Sequence, residues 1–211
     1  MRIRKKKWVK PFLEQEEEYL LKDEYKGKWL EVFPYKRIYL EIGMGMGDFI
    51  SEQAKRDPET LYIGFEKDET CVAKAIMKAK ENELKNLIII LDNATALKEY
   101  FIDGEVDLIY LHFSDPWPKK GHTKRRLTYR TFLDIYYDIL NDQGKIVFKT
   151  DNKGLYEFSL VEMTNHKFAL EEISVDYHRE VKDEPMTGYE AKFVSLNQPI
   201  YYAKMMKKEK L

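Results

Sequence analysis

The chain has 211 residues, 44% of them hydrophobic and 35% charged, with 36 Lys and Arg against 37 Asp and Glu for a formal net charge of -1. That length suits one sizeable core and is short for two, and the balanced charge excludes a nucleic-acid binder that works by bulk charge alone. The single cysteine, Cys71, excludes an intramolecular disulfide and a cysteine-built metal cage, and no apolar run approaches the roughly 18 residues of a membrane span.

Residues 1–36 read as a basic N-terminal arm and helix that belong to the same domain as residues 37–211. The arm is basic from Arg2 to Lys10 and lacks the apolar core of a signal peptide, so a soluble, cytoplasmic protein is expected. Further cations cluster at Lys119 to Arg126 and Lys204 to Lys210, while acids gather at Glu14 to Glu18 and at Asp183 and Glu184. Next come five β-branched and aromatic runs: RIYLEIG (37–43), LYIGFE (61–66), LIIILD (87–92), VDLIYLHF (106–113) and KIVFKTD (145–151). Each is apolar on both faces, which predicts parallel strands covered on both sides. Between them, Val72, Ala75, Ile76 and Ala79 fall at helical spacing, as do Tyr129, Phe132, Leu133, Tyr136, Ile139 and Leu140. This alternation predicts a doubly wound α/β sheet. Phe168 to Asp176 and Ile200 to Met206 read as an antiparallel edge pair joined through the helix-like TGYEAKFVSL. Cys71 is expected to pack as a small apolar residue.

The first strand runs into Gly43-Met44-Gly45-Met46-Gly47-Asp48, a turn of the kind that brings backbone close to a ligand. A dinucleotide fingerprint would need glycine at 43, 45 and 48, but Asp48 stands at the third position and would repel a diphosphate. The second strand ends at Glu66, where an acid can accept from both hydroxyls of a ribose, and the third ends at Asp92 and Asn93, suited to an adenine edge. Asp68 reads as the cap of the following helix. Glu41, Glu66, Asp92 or Asn93, Asp115 and Asp151 all fall at or just past the carboxyl ends of successive strands, which line one crevice in an open parallel sheet. An acid-lined crevice favours a cation over a phosphate. S-adenosyl-L-methionine, with adenine, ribose and a positively charged sulfonium, suits these residues best.

The combination EIGMGMG, FE, FSDPWPKKGHTKRRL, KTD and TGYEAKF resembles the bacterial tRNA (guanine-N7-)-methyltransferase family, from about residue 37 to the C-terminus. The DPWPKK and TGYE segments carry most of that specificity. The resemblance implies a Rossmann-like class I methyltransferase fold, S-adenosyl-L-methionine as methyl donor, and methylation of a guanosine in the tRNA variable loop. It assigns Glu41, Glu66, Asn93 and Asp115 to the cofactor, beside the turn glycines Gly43 and Gly45, and makes Asp115 the catalytic residue. Lys119, Asp151, Thr187, Gly188, Tyr189 and Glu190 become substrate contacts. Gly121, His122, Thr123, Lys124, Arg125 and Arg126 become the RNA-facing loop. Similar sequences often carry Arg where this chain has Gly121, which removes one cation from that loop.

Guanine N7 is a lone-pair nucleophile with no proton to lose, so its methylation needs alignment and electrostatics more than a strong base. Asp115 then reads as a positioner, stiffened by Pro116 and Pro118. Trp117 either stacks on a base or packs as a lid, and Lys119, Lys120, His122, Lys124, Arg125 and Arg126 grip phosphates. Asp151 and Glu190 could accept from the guanine N1 and N2 donors. Thr187 with Glu190 is equally a helix capping box. With four histidines at no matched spacing, no metal site is expected. The arm, with Trp8, is expected to add RNA contacts and to order on binding. Monomer and homodimer both stay open. The rival readings are a methyltransferase acting on an exocyclic amine, a nicotinamide oxidoreductase, and a non-catalytic RNA-binding module on the same fold.

Overall fold

A computed structural model describes residues 6–16, 19–20 and 23–208. The outer parts of the two terminal basic clusters, and the acids at 17 and 18, lie outside the described residues. The chain divides into two compact units, Met1–Phe101 and Ile102–Leu211.

In the first unit, β1 (Arg37–Ile42), β2 (Thr60–Glu66) and β3 (Leu87–Leu91) are parallel, with β2 between the other two. All but the last residue of β2 is buried, as expected of a strand covered on both faces. Helices α1 (Val9–Gln15) and α2 (Trp29–Val32) precede the strands. Helices α3 (Asp48–Arg56) and α4 (Glu69–Glu81) make the crossovers, and α5 (Leu97–Tyr100) follows β3. Asp68 accepts from the backbone N–H groups of Thr70 and Cys71, capping α4 as its sequence position predicts. Both crossover helices carry an acid in the first turn and Lys or Arg in the last, matching the helix dipole. The stripe Val72, Ala75, Ile76 and Ala79 is fully buried, and burial also pushes the Cys71 thiol up to about 12.

Among the described residues before β1, several side chains pack into the first unit. Val9 and Leu13, four residues apart on one face of α1, are buried where that helix packs on α4. Both carboxylate oxygens of Glu16 accept from Lys80, at 2.6 and 2.7 Å. Trp29 is fully buried against Phe33 and Phe101 and donates its indole N–H to the Tyr100 carbonyl at 2.9 Å.

In the second unit, β4 (Val106–His112) pairs in parallel with β5 (Leu140–Thr150), and β7 (Tyr201–Lys207) lies antiparallel between β5 and β6 (Phe168–Ser174). Helices α6 (Arg130–Ile139), α7 (Lys153–Asn165) and α8 (Gly188–Ser195) link them. On α6 the buried side chains are Phe132, Leu133, Tyr136, Tyr137 and Ile139; of the predicted stripe, Tyr129 is instead the half-buried N-cap and Leu140 is buried as the first residue of β5. The strand after it starts at Leu140, five residues earlier than the apolar run suggests. The intervening residues form an irregularity, since pairing with β4 jumps from Val106↔Leu140 to Leu108↔Lys145. The strand order is β3-β2-β1 in the first unit, all parallel, and β4-β5-β7-β6 in the second, parallel at β4–β5 and antiparallel beyond, the mostly parallel arrangement with an antiparallel edge that the sequence predicts. No helix among the described residues is long and apolar enough to cross a membrane.

Trp29→Ala removes a fully buried indole and its hydrogen bond to the Tyr100 carbonyl. A loss of about 3–5 kcal/mol in urea unfolding free energy is expected, and a loss below about 1 kcal/mol would mean that this segment is not part of the core.

Candidate active site

Each strand of the first unit carries a sequence-predicted site residue at or just past its carboxyl end. Glu41, one residue from the end of β1, is buried. Beyond it, Gly43, Gly45 and Gly47 all have positive φ, at 78°, 57° and 74°, a region closed to most side chains. A Cβ at Gly47 would also lie 2.8 Å from that of Ala75 on α4, whereas one at Gly45 would meet nothing within 4 Å. Packing therefore fixes Gly47, while Gly45 presents bare backbone to open space.

Glu66 closes this turn from the end of β2. Its Oε2 accepts from the Gly45 N–H at 3.1 Å, and its Oε1 accepts from the N–H groups of Lys67 and Asp68 at 2.9 and 3.0 Å. A carboxylate offers about four acceptor positions. Three are used by backbone, so the group is held rigidly with room to accept from a ligand. At the end of β3, Asp92 accepts from the Tyr100 hydroxyl at 2.8 Å, and exposed Asn93 accepts from the Thr95 N–H at 3.2 Å, capping the next turn. Asp48 at the α3 N-terminus is ion-paired with Lys78. The acceptor oxygens of Glu66, Asp92 and Asn93 thus suit the hydroxyls of a ribose and an amine or sulfonium cation better than a diphosphate.

In the second unit, Asp115 and Asp151 are exposed just past the ends of β4 and β5. Neither carboxylate has a hydrogen-bond or ion-pair partner among the described residues. Asp115 enters the turn Pro116-Trp117-Pro118, where Trp117 has φ 41°. For an aromatic residue this conformation costs about 1–3 kcal/mol and persists only when neighbours over-determine it. Arg126 supplies that restraint, donating from Nε to the Pro116 carbonyl at 2.9 Å and from Nη2 to the Trp117 carbonyl at 3.1 Å. Arg125 lies over the Trp117 ring, 4.9 Å from its centroid, and His122 meets the indole edge-on at 5.6 Å. One face of the indole is therefore taken by protein, and a base stacking there would have to displace Arg125.

The rest of the basic loop forms a tight helical turn, Lys120–Arg125, in which Thr123 donates its hydroxyl to the Lys120 carbonyl at 2.8 Å. Lys119, Lys120, Gly121, Lys124 and Arg125 are exposed, while His122, Thr123 and Arg126 are half-buried.

Thr187 and Glu190 form the capping box of α8: the Thr187 hydroxyl accepts from the Glu190 N–H at 3.0 Å, and the Glu190 carboxylate accepts from the Thr187 N–H at 3.4 Å. Glu190 is also fully buried and meets Lys149 at 2.9 Å and His178 at 2.7 Å. Its carboxylate is committed to protein, so the exposed residues of this segment are Gly188 and Tyr189, the latter 64% exposed. Lys149 lies 4.5 Å from the Tyr177 ring centroid, and the Tyr177 hydroxyl donates to Glu184. Burial, reinforced by the Glu184 charge, raises the Tyr177 hydroxyl pKa. Sequence reasoning missed Lys149 and His178. The available signal was a lysine inside the apolar run of β5, where only a paired charge is tolerated. Beside Lys149 in the β4–β5 register sits His112, which burial and the Lys149 charge hold well below the ordinary histidine pKa.

Among the described residues no group of three or more His, Cys, Asp or Glu is placed to hold a metal ion.

Solved structures with the same fold include the 16S rRNA methyltransferase KamB, at TM-score 0.65 and 14% identity over 83% of this chain and 89% of that one. The 16S rRNA (adenine(1408)-N(1))-methyltransferase of Catenulisporales acidiphilia, solved with cosubstrate SAM, matches at TM-score 0.64 and 10% identity over 88% of this chain and 92% of that one. The fold is that of the class I methyltransferases. A family model described as "Putative methyltransferase" matches residues 35–203. Among curated proteins, the tRNA (guanine-N(7)-)-methyltransferase of Limosilactobacillus reuteri is 47% identical over 95% of this chain and 97% of its own. That of Bacillus velezensis is 42% identical over 97% of this chain and 96% of its own. The chain belongs to the tRNA (guanine-N(7)-)-methyltransferase family.

Two measurements check the buried charges. Lys149→Met leaves Glu190 buried without its cation and is expected to cost about 3–5 kcal/mol, much of it recovered in Lys149→Met/Glu190→Leu. Urea unfolding of the single and double variants reads this directly. His112 stays neutral in the folded chain while the unfolded chain takes up a proton as pH falls through about 6.5. Its stabilising contribution is thus full above that value and falls by about 1.4 kcal/mol per pH unit below it. Unfolding free energies of His112→Asn should lack that part of the wild-type slope between about pH 6.5 and pH 5.

Proposed function

We propose that this chain transfers a methyl group from S-adenosyl-L-methionine to N7 of a guanosine in the variable loop of tRNA, and that residues 37–211 act as one methyltransferase domain with residues 1–36 as part of it. The observation that carries the reading is Asp115, an exposed and unpartnered carboxylate on a turn that the protein restrains at two carbonyls. The sequence relationship to the tRNA methyltransferases supplies the substrate.

The cofactor is held by Glu41, Gly43, Gly45, Glu66 and Asn93, with Asp115. Glu66, fixed by three backbone N–H groups, accepts from the ribose hydroxyls, and the bare backbone at Gly45 permits close approach. When bound, S-adenosyl-L-methionine supplies a methyl group on a positively charged sulfur, which a purine N7 lone pair can accept without losing a proton. The protein accordingly has no strong base to provide. Asp115 serves by alignment and by stabilising the positive charge that develops on the purine. Asp151 accepts from the donors of the guanine Watson–Crick edge, which adenine lacks in that arrangement. Thr187 and Glu190 shape the adjoining lip by capping α8, and Gly188 and Tyr189 meet the nucleoside. Lys119, Lys120, Lys124 and Arg125, with Gly121, His122 and Thr123 between them, follow the RNA backbone through phosphate contacts.

Methyl transfer to unmodified tRNA transcripts tests this reading. Wild-type enzyme should label a transcript with guanosine in the variable loop and leave unlabelled one in which that residue is adenosine or 7-deazaguanosine. Asp115→Ala should lower kcat/KM by roughly 100- to 1000-fold. Labelling of the 7-deaza transcript would contradict N7 as the acceptor.

A further inference from the structure

The cations of the basic loop divide into two kinds. Lys119, Lys120 and Lys124 are exposed, and their ammonium groups have no partner among the described residues. Arg126 turns inward. Two arms of its guanidinium donate to the carbonyls of Pro116 and Trp117, and the carbon between them sits 4.4 Å from the centroid of Phe158 on α7. Its own backbone is fixed at both ends, with its N–H donating to the Thr123 carbonyl at 3.1 Å and its carbonyl accepting from the Tyr129 N–H at 2.9 Å.

We propose that Arg126 is a positioning residue that locks the Asp115 turn, and that it does not contact RNA phosphates. The inference rests on the role assigned above to Asp115. Pro116 and Pro118 have no N–H, so the turn cannot close on itself through those residues. A residue before proline also ordinarily adopts an extended conformation, yet Trp117 has positive φ. Among the described residues, Arg126 is the one side chain that hydrogen-bonds to the backbone of residues 115–118. The match is geometric: two adjacent carbonyls require two parallel donors, which a planar fork supplies and an ammonium does not. The Phe158 ring beneath the guanidinium adds a cation–π contact on the inner side. A loop that reads in sequence as one run of phosphate-binding cations therefore has an outward part for RNA and an inward residue that sets where the acid stands.

The test measures methyl transfer at saturating S-adenosyl-L-methionine, together with the salt dependence of tRNA binding. The proteins are wild type, Arg126→Ala, Arg126→Lys, Asp115→Ala, Asp115→Ala/Arg126→Ala and a triple alanine variant at Lys119, Lys120 and Lys124. Both Arg126 variants should lower kcat by roughly 10- to 100-fold with KM for tRNA little changed, because the loss is one of alignment. Arg126→Ala should keep the wild-type slope of log affinity against log salt, whereas the triple variant should show a shallower one. In the Asp115→Ala background, Arg126→Ala should add no further loss, since it acts through that carboxylate. A normal kcat with a shallower salt slope in Arg126→Ala would overturn the inference, as would additive losses in the double variant. Full turnover by Asp115→Ala would instead remove the assigned role of Asp115. If Arg126→Ala does not fold, Arg126→Lys decides, because it keeps the charge and the aliphatic stem and loses only the fork.

Discussion

A carboxylate can organise a reaction only if the backbone beneath it does not move, and this chain meets that requirement in two opposite ways. At the end of β1 the constraint is met with glycine: three positive-φ residues let the chain fold back so that the Gly45 N–H reaches Glu66. At the end of β4 it is met with residues that lack freedom. Two prolines flank a strained tryptophan, and Arg126 holds the two carbonyls between them. In the first case the turn exposes bare backbone, and in the second it presents an exposed acid. Both follow from the fact that ligands of open α/β sheets bind beyond the carboxyl ends of the strands.

The charged residues separate by burial into those paired inside the protein and those open to solvent. Buried Lys149 and Glu190, with half-buried His178, form a cluster that fastens α8 to β5. The cost of burying such charges is offset only because each has a partner at hydrogen-bond distance. Asp115, Asp151, Lys119, Lys120 and Lys124 are exposed and uncommitted, which suits groups whose partners arrive with the substrate. Glu66 and Arg125 stand between these classes: one holds the glycine turn and retains acceptor capacity, the other covers a face of Trp117 and remains exposed.

Much of the fold was legible because its strands are apolar on both faces and its crossover helices carry regular stripes. The order of runs from Arg37 to Lys207 matches the strands closely, and Asp68 caps α4 as its position suggests. Local pattern failed where a tertiary partner decides the outcome. The early start of β5 at Leu140 depends on pairing with Val106, which no periodicity records. In the segment before β1, read from sequence as a basic arm and helix, the side chains of Val9, Leu13 and Trp29 are buried, which its run of cations does not record. In the site, the sequence placed the acids at strand ends but could not say which were open. Glu190 and Asp151 look alike as letters, and only burial against Lys149 and His178 tells them apart. Arg126 likewise reads as one more cation after Lys124 and Arg125 until its fork is seen on the Pro116 and Trp117 carbonyls.

The measurement that bears most directly on this account is a crystal structure of the chain with S-adenosylhomocysteine bound. The account predicts the ribose hydroxyls within about 3 Å of the Glu66 carboxylate, the sugar against Gly45, and the sulfur directed toward Asp115. A ligand bound elsewhere on the chain, or one that leaves Glu66 and Asp115 both without contact, would contradict it.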